Sequence, residues 1–143
     1  DPNLRLALWP LEEARYEITQ ALGLADIALP GLDDARQITG LDAPEDIVRA
    51  FHEMGPEVVA LTLGEEGALL GHAGTITHIP GVPVPAVDAT GAGDCFDGAF
   101  LTRLSKGAAP EAACRYAVAA SALSVQGYGA VGPLPTVADM SAG

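Results

Sequence analysis

Between Val87 and Phe100 the chain reads Val87-Asp88-Ala89-Thr90-Gly91-Ala92-Gly93-Asp94-Cys95-Phe96-Asp97-Gly98-Ala99-Phe100, a turn of small residues feeding an amphipathic helix that starts near Ala92. A glycine-rich turn at a helix start leaves backbone N–H groups unpaired, and the helix dipole adds partial positive charge there. Such a nest binds phosphate or another oxyanion. Asp94 is the unusual member, because a site built only to hold phosphate gains nothing from a carboxylate. Beside donors that hold a transferring group, however, a carboxylate can take the proton of a substrate hydroxyl. The combination points to phosphoryl transfer to an alcohol.

Other readings of the same residues are weaker. A dinucleotide fingerprint needs glycine three residues after Gly93, where Phe96 stands, and it would set Asp94 against the pyrophosphate. No Gly-Lys-Ser or Gly-Lys-Thr follows, so a Walker loop is excluded. The bland alternative makes Asp94 a helix cap. Upstream, Gly64-Glu65-Glu66-Gly67 at a strand end fits either an ordinary turn or the border of a nucleotide site. Asn3 and Arg5 are solvated loop residues or phosphate contacts, Arg being suited to phosphate by its paired donors. His52, His72 and His78 lie on a helix and a hairpin without metal-ligand spacing and read as surface or packing residues. Cys95, at a helix start that can lower a thiol pKa, reads as a small buried residue. Asp33 and Asp34 read as first-turn acids, with Asp34 a weak candidate for a metal contact through water.

The elements that must position these groups alternate. Leu11 to Leu22 has a helical stripe of Leu11, Ala14, Tyr16, Ile18, Ala21 and Leu22, stopped by Gly23 as a cap. Asp26 to Leu29 reads as a buried strand, Leu32 to Ile38 as a short helix ended by Gly40, and Asp42-Ala43-Pro44-Glu45 opens a helix to about Met54. Val58 to Leu63 is a continuous apolar strand. Ala68 to Leu70 and Thr75 to Ile79 form a hairpin through Ala73-Gly74. Pro80 to Pro85 is too stiff and donor-poor for a central strand. The helix from Ala92 to Leu104 ends at Lys106-Gly107, and a second runs from Glu111 to about Val125 with six alanines among fifteen residues, small enough to lie close against a neighbour or a bound ring. Residues 127–133 read as loop, and Thr136 to Met140 as a last turn. The pattern predicts an α/β fold of Rossmann-like type, a mostly parallel sheet flanked by helices with an antiparallel hairpin at one side.

The chain has 143 residues, 49% of them hydrophobic but only 5% aromatic, so Ala, Val, Leu and Ile must build the core. A formal net charge of −12 argues against nucleic acid or an anionic membrane as partner. No apolar run approaches the ~20 residues of a membrane span. Two cysteines in predicted helices of an acidic chain suggest reduced thiols and a cytoplasmic protein. Asp1-Pro2-Asn3-Leu4-Arg5 carries polar residues of functional type with no strand ahead to place them, so the chain reads as part of a longer protein.

Taken together, these segments resemble the ribokinase-like (PfkB-type) carbohydrate kinases. The residues from Val87 to Asp94, with Phe96-Asp97-Gly98-Ala99-Phe100, look like that family's C-terminal motif. Leu61-Thr62-Leu63-Gly64-Glu65-Glu66-Gly67 resembles its nucleotide-site strand and turn, and Asp1 to Arg5 with Leu8-Trp9 looks like a segment of its fructokinase and 2-keto-3-deoxygluconate kinase branches. The resemblance covers essentially the whole chain but only the C-terminal half of a family member, a single ribokinase-like domain whose N-terminal half and lid are missing. It implies Asp94 as general base in contact with the sugar, and the amides of Gly91, Ala92, Gly93 and Asp94 as an anion hole for the γ-phosphoryl group. Thr62 to Gly67 and the alanine-rich helix would border ATP. Asn3 and Arg5 would contact nucleotide phosphates or sugar, and Mg²⁺ would be held mostly by ATP and water.

Three departures stand out. Ala89 sits where the family often has a hydroxyl or proline. Gly31 and Asp34 replace the Asn and Glu of an Asn-x-x-Glu element linked to magnesium and phosphate, and Val118 replaces an Asn near the nucleotide. The runs Leu29 to Arg36 and Gly127 to Val131 look more like bacterial 2-keto-3-deoxygluconate kinases than fructokinases. The expectation is the catalytic half of an ATP-dependent sugar kinase acting on a primary hydroxyl of 2-keto-3-deoxygluconate, inactive as these residues alone and homo-oligomeric in full-length form. The alternatives are a fructokinase or other sugar kinase of this kind, or a non-catalytic nucleotide or sugar sensor of the same fold.

Overall fold

The computed structural model describes residues 1–141, which form two compact units. The first holds residues 1–63 and 69–78, the second residues 64–68 and those from 79 onward.

In the first unit, helix α1 (Leu11–Leu22) is followed by the short strand β1 (Ile27–Ala28), α2 (Leu32–Thr39), α3 (Pro44–Met54) and β2 (Val58–Thr62). Strands β3 (Gly67–His72) and β4 (Thr75–Pro80) complete a mixed four-stranded sheet in the order β1-β2-β3-β4. Its parallel part is the β1–β2 pair, in register at Ile27 with Val58 and Ala28 with Val59 and extended by a bridge from Gly31 to Thr62. Pro30, two residues beyond the end of β1, has no N–H to continue the ladder. The predicted hairpin is present, joined by the two residues Ala73-Gly74. Val48, Phe51, Ile47, Val59 and Leu61 are fully or almost fully enclosed in the core, with α3 packed on β2.

Two details of α1 differ from expectation. Ala14, Ile18 and Leu22 are buried, but Tyr16 is 63% exposed and Ala21 also faces solvent, so the apolar stripe is narrower than its sequence suggests. Gly23 does end the helix, yet its backbone is right-handed rather than the left-handed form of a glycine cap. Crowding accounts for glycine at this join: a β-carbon on the neighbouring Gly55 would lie 3.0 Å from the Gly23 Cα and 2.7 Å from the Leu22 oxygen.

In the second unit, α4 (Ala92–Ser105) and α5 (Pro110–Ser124) pack against each other along Ala113, Ala117 and Ala120, all buried. The alanines bring the helix backbones close, and the Ser121 hydroxyl donates across to the Ala92 carbonyl at 3.1 Å. The Phe96 and Phe100 rings lie parallel with centroids 6.0 Å apart, and the Arg103 guanidinium sits 4.7 Å over the Tyr116 ring. Single 3₁₀ turns occupy Gly64–Glu66 and Asp139–Ser141.

Candidate functional site

Gly91 is the residue before the first turn of α4, with φ 77°, ψ 6° in the left-handed region. That conformation favours glycine, and space requires it too: a β-carbon would lie 2.8 Å from the Ala130 methyl. The Ala92 N–H donates to the Ala89 carbonyl at 3.1 Å and the Cys95 N–H to Gly91 at 2.9 Å. Among the described residues no carbonyl takes the amides of Gly91, Gly93 or Asp94. Asp94 is exposed in the first turn, and no side chain caps the helix. Among the described residues Asp94 makes no capping bond, and its carboxylate lies beside backbone donors that no described carbonyl takes.

Asp88, assigned no role from the sequence, organises this turn. Its Oδ1 accepts from the Thr90 N–H at 2.9 Å and the Thr90 hydroxyl at 2.7 Å, and its Oδ2 accepts from the Gly129 N–H at 2.8 Å. The Thr90 hydroxyl, then the Gly129 and Thr90 amides, hold the Asp88 carboxyl down at about 2. The N–H groups of Val87 and Asp88 both donate to the Val125 carbonyl, at 2.7 and 3.1 Å. The loop after α5 is thus pinned to the nest at several points. An Asp two residues before a Thr is a side-chain turn signal, which was available in the sequence. The partnership with Gly129, 41 residues away, was not.

Asp97, one helical turn after Asp94, is half-buried. Burial, with the Asp94 charge adding repulsion, pushes its carboxyl up to about 6. Cys95 and Cys114 are free and buried. Burial raises the Cys95 thiol, partly offset by the Ser124 hydroxyl, and pushes Cys114 up to about 12, which fits packing rather than reactivity. Val118 is buried in α5.

In the second unit, the turn Gly64-Glu65-Glu66 is held by the Gly81 N–H donating to the Glu66 carbonyl at 3.1 Å. A β-carbon on Gly67 would collide with the Ile79 carbonyl oxygen, which gives this glycine a packing reason. In the first unit, the head of α2 gathers the remaining candidates. Thr62 bridges Gly31, with its N–H donating to the Pro30 carbonyl at 3.0 Å. The Leu4 N–H donates to the Asp34 Oδ2 at 2.8 Å, between Asn3 and Arg5, both of which are exposed. Asp33 is almost fully exposed and pairs loosely with Arg36 at 3.9 Å.

The histidines are less scattered than their spacing implies. His52, His72 and His78 all line one open groove of about 980 Å³ in the first unit, with Glu45, Arg49 and Glu57 on its walls. The fold brings them together because α3 lies on the sheet that carries the hairpin. None of the predicted site residues lines this groove, and the His52 Nδ1–H donates to the Pro56 carbonyl at 2.8 Å. Among the described residues no three His, Cys, Asp or Glu side chains form a group that could hold a metal ion, and no helix is long and apolar enough to cross a membrane.

The chain is similar in sequence and fold to known proteins. The chain is 33% identical over 138 residues to an ATP-dependent 6-phosphofructokinase of Thermoanaerobacterium thermosaccharolyticum, covering 96% of this chain and 43% of that protein. It is 37% identical to a 2-dehydro-3-deoxygluconokinase of Thermoproteus tenax, covering 87% of this chain and 39% of the relative. The crystal structure of a fructokinase from Vibrio cholerae in fructose-, ADP- and calcium-bound form superposes with a TM-score of 0.91 at 31% identity, over 99% of this chain and 48% of that one. The chain thus spans less than half the length of the proteins it matches. The family model described as pfkB family carbohydrate kinase matches residues 1–137, and the chain belongs to that family.

Proposed function

We propose that this chain is the catalytic portion of an ATP-dependent sugar kinase that phosphorylates a primary hydroxyl, with 2-keto-3-deoxygluconate as the favoured acceptor. The observation that carries the reading is the exposed carboxylate of Asp94 beside the unengaged amides of Gly91, Gly93 and Asp94 itself. The amide donors fit a phosphate oxyanion, and no described carbonyl competes for them. ATP supplies the phosphoryl group, and Mg²⁺, carried mostly by phosphate and water, would screen its charge. Asp94 takes the proton of the acceptor hydroxyl as the new O–P bond forms and the bond to ADP breaks. The nest amides stabilise the charge on the transferring group. Thr62, Gly64, Glu65, Glu66 and Gly67 border the nucleotide, and Asn3 and Arg5 supply donors for its phosphates or for the sugar. The acceptor rests on the likeness of the runs from Leu29 to Arg36 and Gly127 to Val131, and 2-dehydro-3-deoxygluconokinases stand among the relatives beside a ribokinase and fructokinases at similar identity.

The test uses the full-length protein. Asp94→Asn is expected to lower kcat by ~10²–10⁴, the span of a lost general base, while ATP affinity stays close to wild type. Near-normal turnover would remove Asp94 from the chemistry. A panel of sugars and sugar acids assayed for ATP consumption checks the acceptor, and a clear preference for ribose or fructose would overturn it.

A further inference from the structure

We infer that Asp34 is a positioning residue that sets Asn3 and Arg5 through the main chain of Leu4, and that it serves as a hydrogen-bond acceptor rather than as a charge for a metal. The inference rests on the reading above in one respect, that the Asn3–Arg5 segment contacts phosphate or sugar. An acid at the third position of a helix ordinarily reaches back to its own helix start. Gly31, the residue before α2, has no side chain to reciprocate, and Asp34 instead reaches across 30 residues to the Leu4 N–H at 2.8 Å. The segment it holds is short and unusually constrained. The Leu4 side chain is only 6% exposed and belongs to the core of the first unit. Asn3 sits at φ 43°, a conformation uncommon for a residue with a β-carbon, and its N–H donates to the Asp1 carboxylate at 2.9 Å. The Arg5 guanidinium folds onto the Leu4 carbonyl at 3.0 Å.

Leu4 is therefore anchored twice, by its buried side chain and by the carboxylate on its amide. Asn3 and Arg5 flank that anchor and are exposed, with the Arg5 guanidinium resting on the Leu4 carbonyl. The same end of α2 abuts Thr62 through the Gly31 bridge, so one helix start registers three candidate contacts. A free loop would lose entropy each time Arg5 engaged a ligand, and the Asp34 bond removes much of that cost in advance. Among the described residues no donor bonds the second carboxylate oxygen, and an amide N–H needs only one acceptor atom; the charge faces the start of its own helix, not a metal cluster.

That distinction is measurable in the full-length protein, because the Asn amide oxygen can accept from Leu4 as the carboxylate does while carrying no charge. Asp34→Asn is expected to keep kcat and both KM values within about twofold of wild type, with the Mg²⁺ concentration for half activity unchanged. Asp34→Ala, checked for an intact thermal transition, should raise the KM of ATP or sugar about three- to tenfold, the scale of one lost hydrogen bond. Hydrogen exchange at the Leu4 amide should be faster in Asp34→Ala and not in Asp34→Asn. In an Arg5→Ala background Asp34→Ala should cost little more, since both act on one contact. Equal losses in the Asn and Ala variants, with a raised Mg²⁺ requirement, would overturn the inference in favour of a charge-based role. Unchanged Leu4 exchange in Asp34→Ala would overturn it as well, as would altered exchange with normal kinetics in both Asp34→Ala and Arg5→Ala. Absence of sugar-dependent ATP consumption by the wild type would instead overturn the kinase reading, while the exchange result would still report on the Asp34 contact.

Discussion

The Asp88 carboxylate accepts the Gly129 amide at 2.8 Å while its other oxygen holds Thr90, so one side chain joins the turn before α4 to the loop after α5. The acceptor is a charged carboxylate and the donor a main-chain N–H. The nest around Gly91 is consequently braced from outside its own helix. Its shape depends on residues 41 positions apart in sequence.

Replacing that brace should cost turnover more than folding. On the proposed function, Asp88→Ala in the full-length protein is expected to lower kcat roughly ten- to hundredfold, the scale on which a misplaced catalytic group loses rate. Asp88→Asn, which keeps one acceptor oxygen, should fall between it and wild type. Steady-state kinetics on the two variants checks this, and equal activity in all three proteins would show that the brace is dispensable.

Gly91 offers a test of backbone shape. Gly91→Ala places a methyl 2.8 Å from Ala130 and asks an L-residue to hold φ 77°. The backbone penalty alone is about 1–2 kcal/mol, and activity should drop with it. Adding Ala130→Gly removes the methyl contact but leaves the residue-130 Cα at 3.0 Å and the backbone cost, so the double variant should recover only part of the loss. Denaturant titration and kcat measured together separate the two contributions.

The Asp97 carboxyl gives a pH dependence with a definite sign. Burial raises it in the folded protein to about 6 from an ordinary 3.8, so the folded state binds the extra proton between those values. Stability therefore falls as pH rises from about 4 through 6, and the loss is complete above the folded value. Asp97→Asn removes that dependence. The melting temperature of wild type relative to Asp97→Asn should decline across this window, and parallel curves would contradict the assignment.

The first unit makes a contrasting pair of predictions. Phe51 is fully buried between α3 and the sheet, and Phe51→Ala should cost about 3–5 kcal/mol for transfer and cavity together. Tyr16 continues the α1 stripe on paper but is 63% exposed. Tyr16→Ala should change stability by no more than about 0.5 kcal/mol. Urea unfolding of both variants checks the burial assignment residue by residue.

Much of this molecule was legible from local chemistry. Gly23, Gly40, Lys106-Gly107 and Pro44 marked helix ends because each either stops a helix readily or begins one cheaply. Val58 to Leu63 announced a buried strand, found as Val58–Thr62, Ala73-Gly74 a tight hairpin turn, and Gly91 to Asp94 a glycine turn feeding a helix with a carboxylate in its first turn. These signals lie within a few residues of each other, and torsion preference, side-chain period and hydrogen-bond valence act over that range. What tertiary structure decided was which distant groups meet. Asp34 read as a first-turn acid or a weak metal contact, and only folding brought it to the Leu4 amide. Asp88 lay in the motif without a task until Gly129 arrived from beyond α5. Three histidines with no shared spacing came to one groove because α3 packs over the sheet that carries the hairpin. Partners of this kind are chosen by packing across the chain, and a hydrogen bond or a buried charge has no sequence period from which it can be read.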